Sequence, residues 1–259
     1  MRQKIESAAN RRLSITRRLG TRHGVLKHSL FLMEGPRYIS DYLATARPEW
    51  LVMSDEAESR VTSIADRAVE SGSDVLEVPA KLFSGLSDTI HSQGLIAVCP
   101  LPDIEAAGIA TKGLILLLDS ISDPGNMGTL IRSAAAFGCA AVLAGQGSCC
   151  PFIPKVTRAA TGLNTRISIL FDIDLSAWIN EQENGFPVIG AEAVGEQIET
   201  FSPPESFALV IGSEAHGISP VIREMLTTSV SIPMKKGIES LNAAVSGSIL
   251  LYALTKCTI

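Results

Sequence analysis

One stretch limits the fold more than any other. Phe207-Ala-Leu-Val-Ile211 is apolar at every position and stops abruptly at Gly212-Ser-Glu-Ala-His-Gly217. A short amphipathic segment follows, then Val230-Ser-Ile-Pro-Met234, then the polar Lys235-Lys-Gly-Ile-Glu-Ser-Leu-Asn242. Residues 243–254 carry small and apolar side chains at helical spacing. A five-residue run with no polar alternation suits a strand buried on both faces of a parallel sheet. The stretch therefore predicts strand, glycine-edged loop, helix, strand, polar loop and closing helix. Open α/β sheets hold ligands outside the carboxyl ends of their strands, so these two loops are the first candidate for a site.

The same kind of run recurs along the chain. Leu30-Phe-Leu-Met33, Trp50-Leu-Val-Met53, Val75-Leu-Glu-Val78 and Leu95-Ile-Ala-Val98 read as strands, with helices expected over 37–46, 56–71 and 80–86. Residues 5–19 read as a basic helix, followed by a loop at Gly20-Thr-Arg-His-Gly24. A second alternation opens with Leu114-Ile-Leu-Leu-Leu118 and a turn-rich Asp119-Ser-Ile-Ser-Asp-Pro-Gly-Asn126, then a helix over 127–137 and a strand over 140–144. Helix over 155–161, strand over 168–171, helix over 174–183 and strand over 187–190 continue it as a doubly wound α/β unit. A chain of 259 residues exceeds the usual single-domain size. Two domains are expected, 1–105 and 106–259, joined through Pro100-Leu-Pro102 and the weakly patterned 103–113.

Charge is distributed unevenly. Residues 1–37 hold nine Lys and Arg (Arg2, Lys4, Arg11, Arg12, Arg17, Arg18, Arg22, Lys27 and Arg37) against Glu6 and Glu34. With a net charge of −5 for the chain, that segment carries +7 and the rest −12. A concentration of arginine on an acidic body is the footprint of a polyanion-binding arm, because guanidinium groups bridge phosphates and stack on bases. The candidate polyanion-binding residues are Arg11, Arg12, Arg17, Arg18, Arg22, Lys27 and Arg37. Charged residues make up only 19% of the chain, which argues for a globular protein and against a disordered one. No apolar run reaches the roughly 18 residues of a membrane span, and the basic N-terminus does not read as a signal peptide, so a cytoplasmic protein is expected. Five cysteines (Cys99, Cys139, Cys149, Cys150 and Cys257) without a Cys-x-x-Cys suggest neither disulfides nor a metal site.

Taken singly, the polar residues of the second half have ordinary explanations. Asn126 sits where a helix cap belongs, Glu214 could neutralise a helix start near Ser219-Pro220, and Ser240 could cap the last helix. Gly125-x-x-Gly128 is neither a dinucleotide fingerprint nor a P-loop. In order and spacing, however, they resemble one family. Asn126-Met-Gly-Thr-Leu-Ile-Arg132-Ser-Ala is similar to the first motif of the SpoU (TrmH-type) RNA ribose 2′-O-methyltransferases of the SPOUT superfamily. Gly212-Ser-Glu214-Ala-His-Gly217 is similar to the second motif, and Ile232-Pro-Met-Lys-Lys-Gly-Ile-Glu-Ser240-Leu-Asn242 to the third. Phe31-Leu-Met-Glu-Gly-Pro-Arg37 and Gln93-Gly-Leu-Ile-Ala97 resemble the family's N-terminal substrate-binding domain. Ala243-Ala-Val-Ser246 departs from the family's usual Val-Ser-Val-Ala, an exchange of small residues in the closing helix.

The resemblance implies a small N-terminal α/β/α RNA-binding domain and a C-terminal α/β domain with a deep trefoil knot, in which 212–254 is threaded. It implies S-adenosyl-L-methionine, held by Gly212, Ile232 and Leu241 with Ala191 beside them, and no metal. It implies a homodimer whose active site draws on both subunits, with the small residues Ala243, Ala244, Gly247 and Ser248 as a candidate close-approach stripe. The implied reaction is methylation of a ribose 2′-hydroxyl in RNA, ribosomal RNA ahead of tRNA, with a non-catalytic RNA-binding adaptor as the rival. In that reading Arg132 acts electrostatically, Asn126 and Glu214 orient it and the ribose, and Ser240 and Asn242 fix the pocket. His216 is read as a loop histidine.

Overall fold

The computed structural model describes residues 1–89, 91–104, 109, 112–183, 185–238 and 240–255. Cys257, the expected boundary at 105/106 and residues 105–108, 110 and 111 of the expected linker lie outside them, while Pro100 of that linker ends a strand, Leu95–Pro100. The chain divides into two compact units, Met1–Pro102 with Phe152–Gly162, and Asp103–Pro151 with Leu163–Ile259.

The first unit is built on a mixed sheet. Strands β1 (Arg2–Lys4), β2 (Leu30–Glu34), β3 (Trp50–Ser54), β4 (Asp74–Val78) and β5 (Leu95–Pro100) lie in the order β1-β4-β3-β5-β2. β1, β4 and β3 run parallel, and β5 pairs antiparallel with both β3 and β2. Helices α1 (Arg11–Arg18), α2 (Arg22–His28), α3 (Pro36–Tyr42), α4 (Ser59–Glu70) and α5 (Ala80–Ser84) cover it. Every residue of β3 is buried. The core gathers Leu13, Leu19, Trp50, Val52, Leu76 and Phe83, each removed from water for about 1.5–3 kcal/mol.

The expected helix over 5–19 is corrected at its start. Residues 2–4 form an edge strand on β4, and the helix begins only after Asn10, whose side chain accepts from the amides of Arg12 and Leu13. A polar Arg-Gln-Lys has no strand pattern; acidic partners hold it there, with Arg2 on Glu77 at 2.8 Å and on Asp66 at 3.4 Å. The expected loop 20–24 becomes the start of α2, because the Thr21 hydroxyl caps the amide of Gly24.

The second unit is an all-parallel six-stranded sheet. Strands β6 (Leu114–Asp119), β7 (Ala141–Gly145), β8 (Ser168–Ile173), β9 (Val188–Gln197), β10 (Phe207–Gly212) and β11 (Thr228–Ser231) lie in the order β11-β9-β10-β6-β7-β8. Helices α6 (Pro124–Ala136), α8 (Leu175–Asn180), α9 (Pro220–Arg223) and α10 (Ala243–Thr255) belong to this unit. α7 (Pro154–Ala159) instead joins the first unit, where Phe152 meets Phe31 with ring centroids 5.3 Å apart. β10 pairs with β6 from Phe207↔Leu114 to Gly212↔Asp119, so both strands end side by side. Every residue of β6 is buried, as the unbroken apolar run requires.

Candidate active site

The loops that leave β10 and β11 border one cavity of about 550 Å³. Its wall includes Ala191, Gly212, Glu214, Ile232, Leu241 and Asn242, with Ser240 at the edge. All four sequence-assigned cofactor residues, Gly212, Ile232, Leu241 and Ala191, therefore face the same space. Ala191 lies in β9 immediately after Gly190, the last residue of that strand paired with β10.

Gly212 is fixed by the chain's own path. A Cβ there would lie 2.2 Å from the backbone carbon of Gly217 and from the amide nitrogen of Ile218, so no other residue fits. The loop closes on itself through paired amides, Ser213 N–H to the Gly217 carbonyl at 3.0 Å and Gly217 N–H to the Ser213 carbonyl at 2.8 Å. Gly217 has φ +67°. Glu214 and His216 sit exposed on this turn.

The three motifs meet through side chains. The Asn126 amide donates to the Glu214 carboxylate. Asn242 Nδ2 donates to Asn126 Oδ1 at 3.1 Å. Asn242 Oδ1 in turn accepts from the amides of Ala244 at 3.0 Å and Val245 at 3.2 Å. Asn242, not Ser240, thus caps α10. Nor is Asn126 a cap: Asp123 caps α6 by accepting from the Asn126 amide at 2.8 Å, with Pro124 at the first helical position. That leaves the Asn126 side chain available to bridge the other two motifs. Glu214 does not serve the start of α9 either, since buried Asp119 accepts from the Ser219 amide at 2.7 Å.

Arg132 is placed differently. It stands exposed on α6 beyond Asn126, outside the cavity wall, and makes no hydrogen bond or ion pair among the described residues. The small stripe of α10 faces inward: Ala243, Ala244 and Gly247 are buried, and a Cβ at Gly247 would meet Leu130 at 2.4 Å. Ser248 and Ser133 share a hydroxyl contact of 2.7 Å. The stripe therefore lets α10 settle on α6 within the chain, and the face left outside carries Val245, Ile249 and Tyr252.

Of the arginine arm, Arg12 is engaged at home, 2.8 Å from Asp74 and stacked 5.8 Å from the Trp50 ring centre. Its guanidinium and, more strongly, the N-terminal amino group hold the Asp74 carboxyl below its ordinary pKa. Arg11, Arg17, Arg18, Arg22, Lys27 and Arg37 are exposed. Two carboxylates went unremarked in the sequence. Glu192 lines the cavity and is gripped by Arg223 at 2.8 Å and by the Ser229 hydroxyl at 2.6 Å. Asp119 ends β6 beside Gly212; its place at a strand end before a turn was the available signal.

Residues 113–252 match the SpoU rRNA Methylase family, and residues 10–97 match the MRM3-like substrate binding domain. The chain belongs to the SpoU family. Among its relatives is the 23S rRNA (guanosine(2553)-2′-O)-methyltransferase RlmP of Bacillus subtilis, 31% identical over 97% of this chain and 99% of that protein. A solved structure from Porphyromonas gingivalis, assigned to the TrmH family of RNA methyltransferases, superposes with a TM-score of 0.82 at 32% identity, covering 95% of this chain and 98% of that one. The AdoMet-bound rRNA methyltransferase of Sinorhizobium meliloti superposes at 0.85 over 97% of both chains with 24% identity, which speaks to the fold. Among the described residues no helix is long and apolar enough to cross a membrane, and no group of three or more His, Cys, Asp or Glu side chains is placed so that it could hold a metal ion.

Proposed function

We propose that this SpoU-family protein transfers a methyl group from S-adenosyl-L-methionine to a ribose 2′-hydroxyl of ribosomal RNA in the cytoplasm. The observation that carries the reading is the convergence of three separated motifs on one cavity through the Glu214–Asn126–Asn242 chain of hydrogen bonds. The cavity fits the cofactor in kind. It offers apolar surface from Ile211, Val230, Ile232 and Leu250 for a base, and polar edges at Glu214, Ser240 and Asn242 for a ribose and an amino acid. When bound, the sulfonium supplies an electrophilic methyl group for in-line displacement.

The residues of the chain then have distinct tasks. Gly212, Ile232, Leu241 and Ala191 hold the adenosyl portion, largely by shape. Asn126 and Glu214 position the ribose, and Ser240 and Asn242 fix the pocket edge. Arg132 stabilises the developing alkoxide or grips the adjacent phosphate so that it relays the hydroxyl proton away. Neither task asks the guanidinium to give up a proton.

The exposure of Arg132, away from its own cavity wall, suits a homodimer in which the site draws on both subunits. The outward face of α10, with Tyr252 67% exposed, offers the apolar surface for it. The reading includes the family's deep trefoil knot over 212–254, supported by the two loops that border one cavity. Arg11, Arg12, Arg17, Arg18, Arg22, Lys27 and Arg37 serve RNA in the first unit, with Arg12 also structural.

The test is incubation with labelled S-adenosylmethionine and ribosomal RNA or tRNA. Label in alkali-resistant dinucleotides is expected, because a blocked 2′-oxygen cannot attack its own phosphate. Label in tRNA alone would move the substrate, and cofactor binding without label in any RNA would leave the adaptor.

A further inference from the structure

The first unit has a cavity of its own, about 440 Å³, at the carboxyl ends of the parallel strands β3 and β4. Pro36, Gln93 and Gly94 of its lining come from the two N-terminal segments that resemble the family's substrate-binding domain. We propose that it receives a single unstacked nucleobase of the RNA substrate. The inference rests on the RNA-methylating function above and names where, in the substrate-binding unit, part of that RNA is read.

Three features point to a base. Part of the wall is apolar: Phe83 and Val61 line the cavity and are buried. Hydrogen-bonding groups ring that surface. Thr89 lines it, and its Oγ1, shut off from water, has no partner among the described residues; Gln93 and Ser54 stand nearby on the wall. A planar group with both donors and acceptors satisfies such a ring; a purely apolar ligand leaves the threonine orphaned. At the rim, Glu56 and Glu58 are exposed beside Arg60. Two carboxylates against one guanidinium disfavour a phosphate inside the cavity. Arg60 itself and the exposed Arg37, next to the cavity residue Pro36, suit the flanking backbone. Single-stranded RNA is read in this way, with splayed bases bound on their edges while arginines hold the phosphates.

The cavity is also preformed. The loop carrying Thr89 and Gln93 is tied to β2 by Glu34, which accepts from the Ser87 hydroxyl at 2.5 Å and the Ser92 hydroxyl at 2.7 Å. Gly94 turns the loop at φ +78°, where a Cβ would press on Ala57 and Ser54 at 3.3 Å. A base entering here meets a wall already held in place, in which only the Thr89 hydroxyl has to turn to reach it.

The experiment uses the full chain and ribosomal RNA transcripts carrying 4-thiouridine or 6-thioguanosine, photocrosslinked and mapped by mass spectrometry. Crosslinks are expected on the peptides that contain 54–60 and 83–94. Ser84→Trp, on the exposed end of α5 at the cavity mouth, is expected to weaken RNA binding tenfold or more. Thr89→Val, nearly isosteric, is expected to weaken it two- to fivefold. Both variants should keep wild-type affinity for S-adenosylmethionine by calorimetry. Should Ser84→Trp unfold, the wild-type crosslinks and Thr89→Val decide. Absent crosslinks on both peptides, or unchanged RNA affinity in the folded variants while wild-type protein methylates RNA, would overturn this inference alone. A wild-type protein that binds no RNA would bring down the functional reading with it.

Discussion

The two units use polar side chains in opposite ways. In the second, Asn126, Glu214 and Asn242 come from places 88 and 116 residues apart and bond to one another, so the site is assembled before any ligand arrives. In the first, the basic side chains near the N-terminus are divided. Arg2, Lys4 and Arg12 are neutralised by Glu77, Asp66 and Asp74 of the same unit, while Arg17, Arg18 and Lys27 point into solvent unopposed by any ion pair among the described residues. A motif with fixed spacing names residues that meet. A charge tally cannot separate cations that hold the fold together from cations offered to a partner.

The sharpest break of that contrast is Arg132, a motif residue left out of the assembled network. Arg132→Ala should lower methyl transfer by about 10²–10³-fold, the usual cost of one transition-state donor, with Tm and cofactor affinity unchanged. Near-wild-type turnover by Arg132→Lys would show that the planar fork is irrelevant. Next in size is Gly212→Ala, which forces a methyl into the Gly217 backbone; it should cost about 1–3 kcal/mol of stability and most of the cofactor affinity. Gly20→Ala in the first unit, where the nearest atom would be 3.5 Å away, should leave Tm where it is.

Asn242 separates assembly from packing. Asn242→Ala loses the cap of α10 and the bond to Asn126, for about 1 kcal/mol in Tm measurements. Asn242→Asp keeps the cap and lacks the donor, so its activity should fall while Tm holds. The smallest effects belong to the arm. Arg18→Ala should reduce the salt slope of RNA binding by about one, with no change in Tm. Arg12→Ala should lower stability by up to about 1 kcal/mol. Because Asp74 has a lowered folded pKa, its contribution is present above the ordinary aspartate range and lost as pH falls through the folded value. Acid titration of Arg12→Ala should therefore show a shallower loss of stability below pH ~4 than wild type.

Most strands were legible because uninterrupted apolar runs such as Leu114-Ile-Leu-Leu-Leu118 have few other places to go. The helices were found with ends displaced by a few residues, as at α4, because polar flanks carry no period. β1 was hidden: a polar edge strand is defined by partners 64 to 75 residues away. The cavity walls were legible through the motifs, yet the roles of their caps were not. Asp123 and Asn126, or Ser240 and Asn242, are equally good capping residues by type, and only backbone geometry selects between them.

Helix α7 is encoded between β7 and β8 yet is counted with the N-terminal unit, so the polypeptide crosses from one unit to the other three times. Neither half can be excised by a single scission. A protease nick between residues 103 and 151 would leave the N-terminal fragment without its last helix, still fastened to a strap that the other fragment supplies. Expressing 1–102 by itself would uncover Phe31 where Phe152 belongs, which makes the boundary a poor place to divide this protein into working modules.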